Sequence, residues 1–199
     1  MKKPTHYVEV RILPLDGSVP SGGDVAFVTT KLMRCVHEHI VDGYAVAVSF
    51  PELREEPQGN TPIGTGSRIR IFGDAGALAA LLVRQEFAQM VGAAAISVGA
   101  SPIREVPGEC RWEVLQRWRE PEKHCDGFAL RAARRKFRRD GKAEQTVAPK
   151  ARKKQPPYFI MDSASTGQRF RIFLKRIPAE AHNVGQVNTY GLGVPVPAW

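Results

Sequence analysis

The segment HYVEVRI, His6–Ile12, alternates along its whole length, with His6, Val8, Val10 and Ile12 on one side and Tyr7, Glu9 and Arg11 on the other. A period of two, with branched apolar residues on one face, is the pattern of a half-buried strand. Outward from it, PLDGSVPSGG makes a turn-rich connection. Asp24 then caps a helix to about Val41, with Val25, Val28, Leu32, Val36 and Ile40 on its inner stripe. Asp42-Gly43 ends that helix, and YAVAVSF, Tyr44–Phe50, reads as a second strand stopped by Pro51. The stretch from Glu52 to Gly66 is rich in Pro, Gly, Glu and Asn and reads as a long surface loop. RIRIF, Arg68–Phe72, is a third strand; Asp74 caps a second helix through about Met90; AAISV, Ala94–Val98, closes a fourth strand. The order β-α-β-β-α-β predicts an α+β chain with a ferredoxin-like domain over residues 1–104, two helices covering one face of a four-stranded antiparallel sheet. That plan carries many unrelated activities, so function has to be read from the second half.

Residues 105–199 hold most of the positive charge. FALRAARRKFRR, Phe128–Arg139, wound at 3.6 residues per turn, puts Arg131, Arg134, Arg135, Arg138 and Arg139 on one face and Ala129, Leu130, Ala133 and Phe137 on the other. Like charges packed side by side repel, and a row of phosphates relieves them. Guanidinium forks grip phosphate oxygens in pairs. A solvated basic face is the plainer reading of the same residues; a membrane-surface helix would need a bulkier apolar side. RWEVLQRWR, Arg111–Arg119, mixes guanidinium and indole planes, suited to stacking on unpaired bases or equally to a small core. The predicted arginine-rich helix spans roughly 126–140, followed by a flexible, lysine-rich linker near 141–156 without apolar periodicity. YFIM, Tyr158–Met161, and RFRIFLK, Arg169–Lys175, then form a short β-hairpin, and NTYGLGVPVPAW is a glycine-punctuated tail.

A chain of 199 residues with 43% apolar content can bury a core, and a net charge of +9 with its excess after residue 110 points to an anionic partner. Cys35, Cys110 and Cys125 include no C-x-x-C pair and are odd in number, which argues against a disulfide framework or zinc knuckle and for a reducing interior. The start lacks a signal-peptide pattern and no apolar run is long enough to span a bilayer, so the expected compartment is the cytoplasm, with no membrane partner. By residue type, His37, Ser163 and Tyr190 stand out as candidates for proton transfer and positioning. A lone histidine is nonetheless more often structural. Helical phase places His39 on the inner stripe with Leu32 and Val36, and His37 on its flank, the more reachable of the two. Cys35, His37 and His39 suggest a metal by composition, but alternate positions on a helix point about 200° apart and cannot close on one ion.

HYVEVRILP, VAVSFPEL, SASTGQRFRIFLKR and TYGLG together resemble the CRISPR repeat-processing endoribonucleases of type I-F systems, over nearly the full length. The S-x-S-T-G-Q-x-F-R pattern followed by Y-G-L is the most specific part. The resemblance implies cleavage of a repeat RNA at the 3′ foot of a hairpin, by 2′-OH attack, with no metal ion and no cofactor. It implies His37, in LMRCVH, as catalytic histidine, Ser163 as the serine that holds the ribose, and Tyr190 as the tyrosine that orients the site. Phe170 would stack beneath the terminal base pair, Ser165 would add an RNA contact, and Arg134, Arg135, Arg138 and Arg139 would grip phosphates. Arg117 would read a guanine edge, while Arg119 stands where the family has a glutamine. The implied partners are the CRISPR repeat RNA hairpin, kept after cutting, and other subunits of a type I-F surveillance complex, the chain being a monomer when alone. A second reading keeps the hairpin binding and loses the cut.

Overall fold

The computed structural model describes residues 3–14, 21–56, 64–121, 135, 139, 156–162, 167–180 and 187–199. The fold class is α+β. The first half runs β1 (His6–Ile12), α1 (Gly22–Val41), β2 (Ala47–Ser49), β3 (Arg68–Gly73), α2 (Ala75–Leu82), α3 (Gln85–Gly92), β4 (Ile96–Ser97) and β5 (Ile103–Glu105). Its antiparallel sheet is ordered β2-β3-β1-β4, with β5 also pairing β1, so that His6 lies opposite both Gly73 and Glu105. The alternation of β1 is realised: Val8 and Val10 are fully buried beneath α1 and α2, while Tyr7 faces the other side against Phe72. β5 crosses the expected boundary at residue 104.

Three local expectations are corrected. The cap of α1 is Ser21; Asp24 is the third helical residue, and the two bond reciprocally, Asp24 N–H to Ser21 Oγ at 3.1 Å and Ser21 N–H to Asp24 Oδ2 at 3.0 Å. The second helix does not run on to Met90 but breaks at Val83–Arg84. Leu78 and Leu81 are buried, and so are Phe87 and Met90, each nine positions further on. At about 100° per residue an unbroken helix would aim the two pairs about 180° apart, so burying both requires the break. Arg84 secures it with an ion pair at 2.6 Å to Asp42, just past the end of α1. The third correction is at the C-terminus.

There the second half forms a four-stranded antiparallel sheet ordered β7-β8-β6-β9, from β6 (Arg111–Arg117), β7 (Tyr158–Asp162), β8 (Arg169–Ala179) and β9 (Pro195–Ala198). The expected hairpin is thus half of a larger sheet, and the expected tail contributes a strand. β9 lies at an edge, opposite β6, where Pro195 and Pro197 need not donate outward. Trp112 and Trp118 are half-buried. Leu115, Phe159, Met161, Ile172, Leu174 and Leu192 pack in the same cluster as Val8, Leu32, Val36 and Ile71, so the two sheets share one core, and α1 lies against β7. Glu113 ties the sheets at their border, accepting from Ser49 Oγ at 2.9 Å and pairing with Arg176 Nε at 2.9 Å, while Arg176 Nη2 donates to the Phe50 carbonyl at 2.8 Å. The arginine-rich helix apart from residues 135 and 139, the linker over 141–155 and the loop tip over 57–63 lie outside the described residues.

Candidate active site

His37 lies in the second half of α1, half-buried, with Leu32, Met33 and Val36 anchoring the helix beneath it. Its Nδ1 is 2.7 Å from the carbonyl oxygen of Thr189. A carbonyl can only accept, so Nδ1 carries the hydrogen and donates it, and the neutral ring keeps its lone pair on Nε2. The Tyr190 ring stacks on the imidazole, with centroids 5.0 Å apart and planes 18° from parallel. Backbone carbonyl and phenol face together fix both the tautomer and the rotation of the ring.

The loop that supplies these contacts is tightly bonded. Asn188 Oδ1 accepts from the N–H of Tyr190 at 2.9 Å and of Leu192 at 3.1 Å. Its backbone closes the same loop, with Asn188 N–H to Leu192 O at 3.1 Å and Gly191 N–H to Asn188 O at 3.0 Å. Beyond it, Val48 N–H donates to Gly191 O at 2.8 Å and Gly193 N–H to Leu115 O at 2.9 Å, pinning the loop to β2 and β6. Gly191 has φ +74°, and a Cβ there would fall 2.8 Å from Val48 Cγ2. Both the left-handed backbone and the close approach demand glycine. Asn188 and the Thr189 carbonyl were not among the residues expected at the site. The asparagine heading N-T-Y-G is, however, a legible signal for a side chain that caps its own turn.

The histidine pair divides as the helical phase implied. His39 is 0% exposed, its Nε2 donates to the Ala77 carbonyl at 3.0 Å, and its ring stacks on Tyr44 with centroids 4.2 Å apart. Burial pushes its pKa down, against the opposing pull of the Ala77 carbonyl. His39 Nδ1 is a buried atom without a partner, whereas Nε2 of His37 is not among the sealed, unpaired atoms of the described residues. Cys35 is buried, and desolvation raises its thiol to about 11, so it stays protonated and unreactive. Among the described residues no group of three or more His, Cys, Asp or Glu is placed to hold a metal.

Arg34, one turn before His37, pairs with Glu38 at 2.9 Å, which holds its pKa above the ordinary value, and the charge of Asp162 adds to that. Asp162 ends β7, so that strand finishes within electrostatic reach of Arg34 on α1. Ser163 and Ser165 lie outside the described residues, as do Arg131, Arg134 and Arg138. Arg135 and Arg139 are helical and exposed, one turn apart.

Arg117 and Phe170 come together: the guanidinium carbon is 6.0 Å from the ring centroid. Register explains it, since Arg117 lies opposite Leu174 and Phe170 opposite Met161, all on the face that carries the core. Phe170 is half-buried at the rim of that core. On the other face Lys175 Nζ lies 5.8 Å from the Trp118 ring; an open depression at the end of β6 is lined from both faces, by Gln116, Arg117, Trp118, Arg119 and Lys175. Its charge suits an anion and its indole a base.

The pattern of the CRISPR-associated protein (Cas_Csy4) family matches residues 7–199 of this chain. The chain is similar, at 29% identity over 200 residues and 94% of each chain, to a CRISPR-associated endonuclease Cas6/Csy4 of Pseudomonas aeruginosa (strain UCBPP-PA14). A match that begins in the first strand and ends on the last residue takes in both sheets, α1 with its histidine and the loop that holds the ring, and by it this chain belongs to the Cas_Csy4 family of CRISPR-associated proteins.

Proposed function

We propose that the protein is an endoribonuclease that binds the hairpin of a CRISPR repeat RNA and cuts at its 3′ foot. His37 takes the proton from the 2′-OH beside the scissile phosphate. The freed oxygen attacks phosphorus, the P–O5′ bond breaks, the leaving 5′-oxygen takes up a proton from water, and the products are a 2′,3′-cyclic phosphate and a 5′-OH. The nucleophile belongs to the RNA, so the chain needs to supply only a base, alignment and charge, and no metal ion enters the steps. The observation that carries this reading is the bond from His37 Nδ1 to the Thr189 carbonyl, which reserves Nε2 as proton acceptor. Proton transfer of this kind is worth ~10² to 10⁴ in rate, and alignment of oxygen and phosphorus adds to it. Tyr190 holds the base, and Ser163 is assigned to the ribose.

Phe170, backed by Arg117, is assigned to the base pair that closes the stem, with Ser165 as a further RNA contact. Arg131, Arg134, Arg135, Arg138 and Arg139 are assigned to the phosphates of the stem, and Arg117 and Arg119 to base edges in its groove. The protein keeps the cut hairpin and enters a type I-F surveillance complex with it. The test is cleavage, in chelator, of a repeat hairpin and of the same hairpin with a single 2′-deoxy at the scissile nucleotide. The ribose substrate should give a cyclic-phosphate end; the deoxy substrate should bind and stay whole. Cutting of the deoxy strand would defeat the mechanism, and a ribose strand that is bound but never cut would leave a hairpin-binding subunit only.

A further inference from the structure

We infer that Asn188 is a positioning residue for His37, acting through the Thr189 carbonyl to hold the imidazole in the tautomer that cleavage requires. This rests on the endoribonuclease reading above. All four hydrogen bonds that close the loop have Asn188 at one end: two on its side-chain oxygen, one on its carbonyl and one from its N–H. Both side-chain bonds come from N–H groups, so the acceptor is the amide oxygen. Of these partners, Gly191 and Leu192 are also held from outside the loop. Gly191 O is bonded to β2, Gly193 N–H to β6, and Leu192 is buried. Tyr190 N–H is held by Asn188 Oδ1, and the peptide unit that precedes it carries the Thr189 carbonyl. That oxygen and the Tyr190 N–H belong to one planar peptide unit, so fixing the N–H fixes the direction in which the carbonyl points. The carbonyl points at His37 Nδ1. Asn188 is exposed, and the sheets and core do not depend on its side chain.

Loss of that one amide oxygen therefore unlocks the peptide unit while leaving residues 191–193 seated. The imidazole is then free to carry its hydrogen on Nε2, which removes the base. Displacement of a reacting group by about 1 Å costs ~10²-fold in rate, and that is the loss expected for Asn188→Leu in single-turnover cleavage, with hairpin affinity unchanged. Asn188→Asp keeps an acceptor in the same place and should cut at close to the parent rate. Asn188→Gln stays polar but carries the acceptor one methylene too far, and should lose rate as the leucine variant does. The full-length variants are assayed beside His37→Ala, and side-chain ¹⁵N–¹H spectra report which imidazole nitrogen of His37 holds the hydrogen. The expected result is hydrogen on Nδ1 in the parent and Asn188→Asp, and a mixture of both forms in Asn188→Gln and Asn188→Leu. Parent-like cleavage and spectrum in Asn188→Gln overturn the inference, even if Asn188→Leu fails to fold. If His37→Ala cuts as well as the parent, the proposed role of His37 as base fails, and the tautomer spectra still decide what Asn188 does.

Discussion

His37 and His39 are two residues apart on one helix, yet their surroundings assign them opposite duties. His37 meets a carbonyl and a ring face at the rim of the core; His39 is sealed within it. Replacing His37 by alanine should lower single-turnover cleavage by at least the ~10² to 10⁴ of general-base action and leave hairpin affinity within experimental scatter. A titration of labelled hairpin, run beside the cleavage assay, separates the two. His39 has a consequence for stability instead. Burial disfavours its charged form, with Arg84 adding to the effect and the Ala77 carbonyl and Asp42 opposing it, so its folded pKa lies below the ordinary value near 6.5. The unfolded chain then binds the extra proton. Stability from His39 is complete above about pH 6.5 and is lost as pH falls through the folded value. Glu9 behaves in the same sense lower down: burial would raise its carboxyl, but Arg70, Arg68 and Arg11 outweigh that and hold it below 4.5. Denaturant unfolding from pH 7 to 5 should show a falling free energy whose slope flattens in His39→Gln. An equal slope in both proteins would remove His39 from the account.

Among the elements, the loop from Asn188 to Gly193 does most to define the site, and Gly191 is its tightest point. Alanine at 191 meets a backbone at φ +74° and Val48 Cγ2 at 2.8 Å. A left-handed alanine costs roughly 1 kcal/mol, and the displaced Val48 raises the total to about 1–3 kcal/mol. Guanidinium unfolding should show that loss, and cleavage should fall with it, since the carbonyl and ring that hold His37 ride on the same loop. Parent-like stability in Gly191→Ala would mean that the loop has room to move. Elements whose signals were local were legible: β1 by its alternation, Asp74 as cap of α2, and His37 rather than His39 as the reachable histidine. What escaped depended on distant partners. β9 lies in a stretch that its glycines mark as a tail, and Pro195 and Pro197 fit a strand there only because the neighbouring β6 makes it an edge. The break between α2 and α3 has no Gly or Pro to mark it; only the opposed phases of Leu78 and Phe87 encode it. The Thr189 carbonyl escaped because a main-chain acceptor carries no residue signature, whereas Asn188 did leave a turn-capping signal, without anything local to tie that turn to His37.

At the scale of the molecule, composition divides the chain into an ordinary first half and a basic second half, while packing joins them. Leu115 from β6, Phe159 and Met161 from β7, and Ile172 and Leu174 from β8 are each at most 3% exposed, in the same cluster as α1 and the first sheet. The site follows the same division: α1 provides His37, and the loop before β9 provides the carbonyl and ring that hold it. On the mechanism proposed above, cleavage competence is coupled to closure of the two sheets on α1. Cutting the chain after residue 104 tests that coupling directly. The fragment would uncover the flank of α1 that meets β7 and leave Ser49 without Glu113, and it would end inside β5, before Glu105 can pair with His6. Burial of one large apolar side chain contributes roughly 1.5–3 kcal/mol, and with Leu192 six from the shared core are lost here, against a net stability of about 5–15 kcal/mol for a typical domain. Residues 1–104 alone should lack a cooperative thermal transition and bind a hydrophobic dye, where the full chain melts sharply. Adding residues 105–199 as a separate chain should restore a transition only when the two associate, and cleavage should return with it in proportion. A fragment that melts cooperatively alone would show that the first sheet and its helices are self-sufficient, and would transfer the whole burden of assembling the site to the contact between His37 and the loop from Asn188 to Gly193.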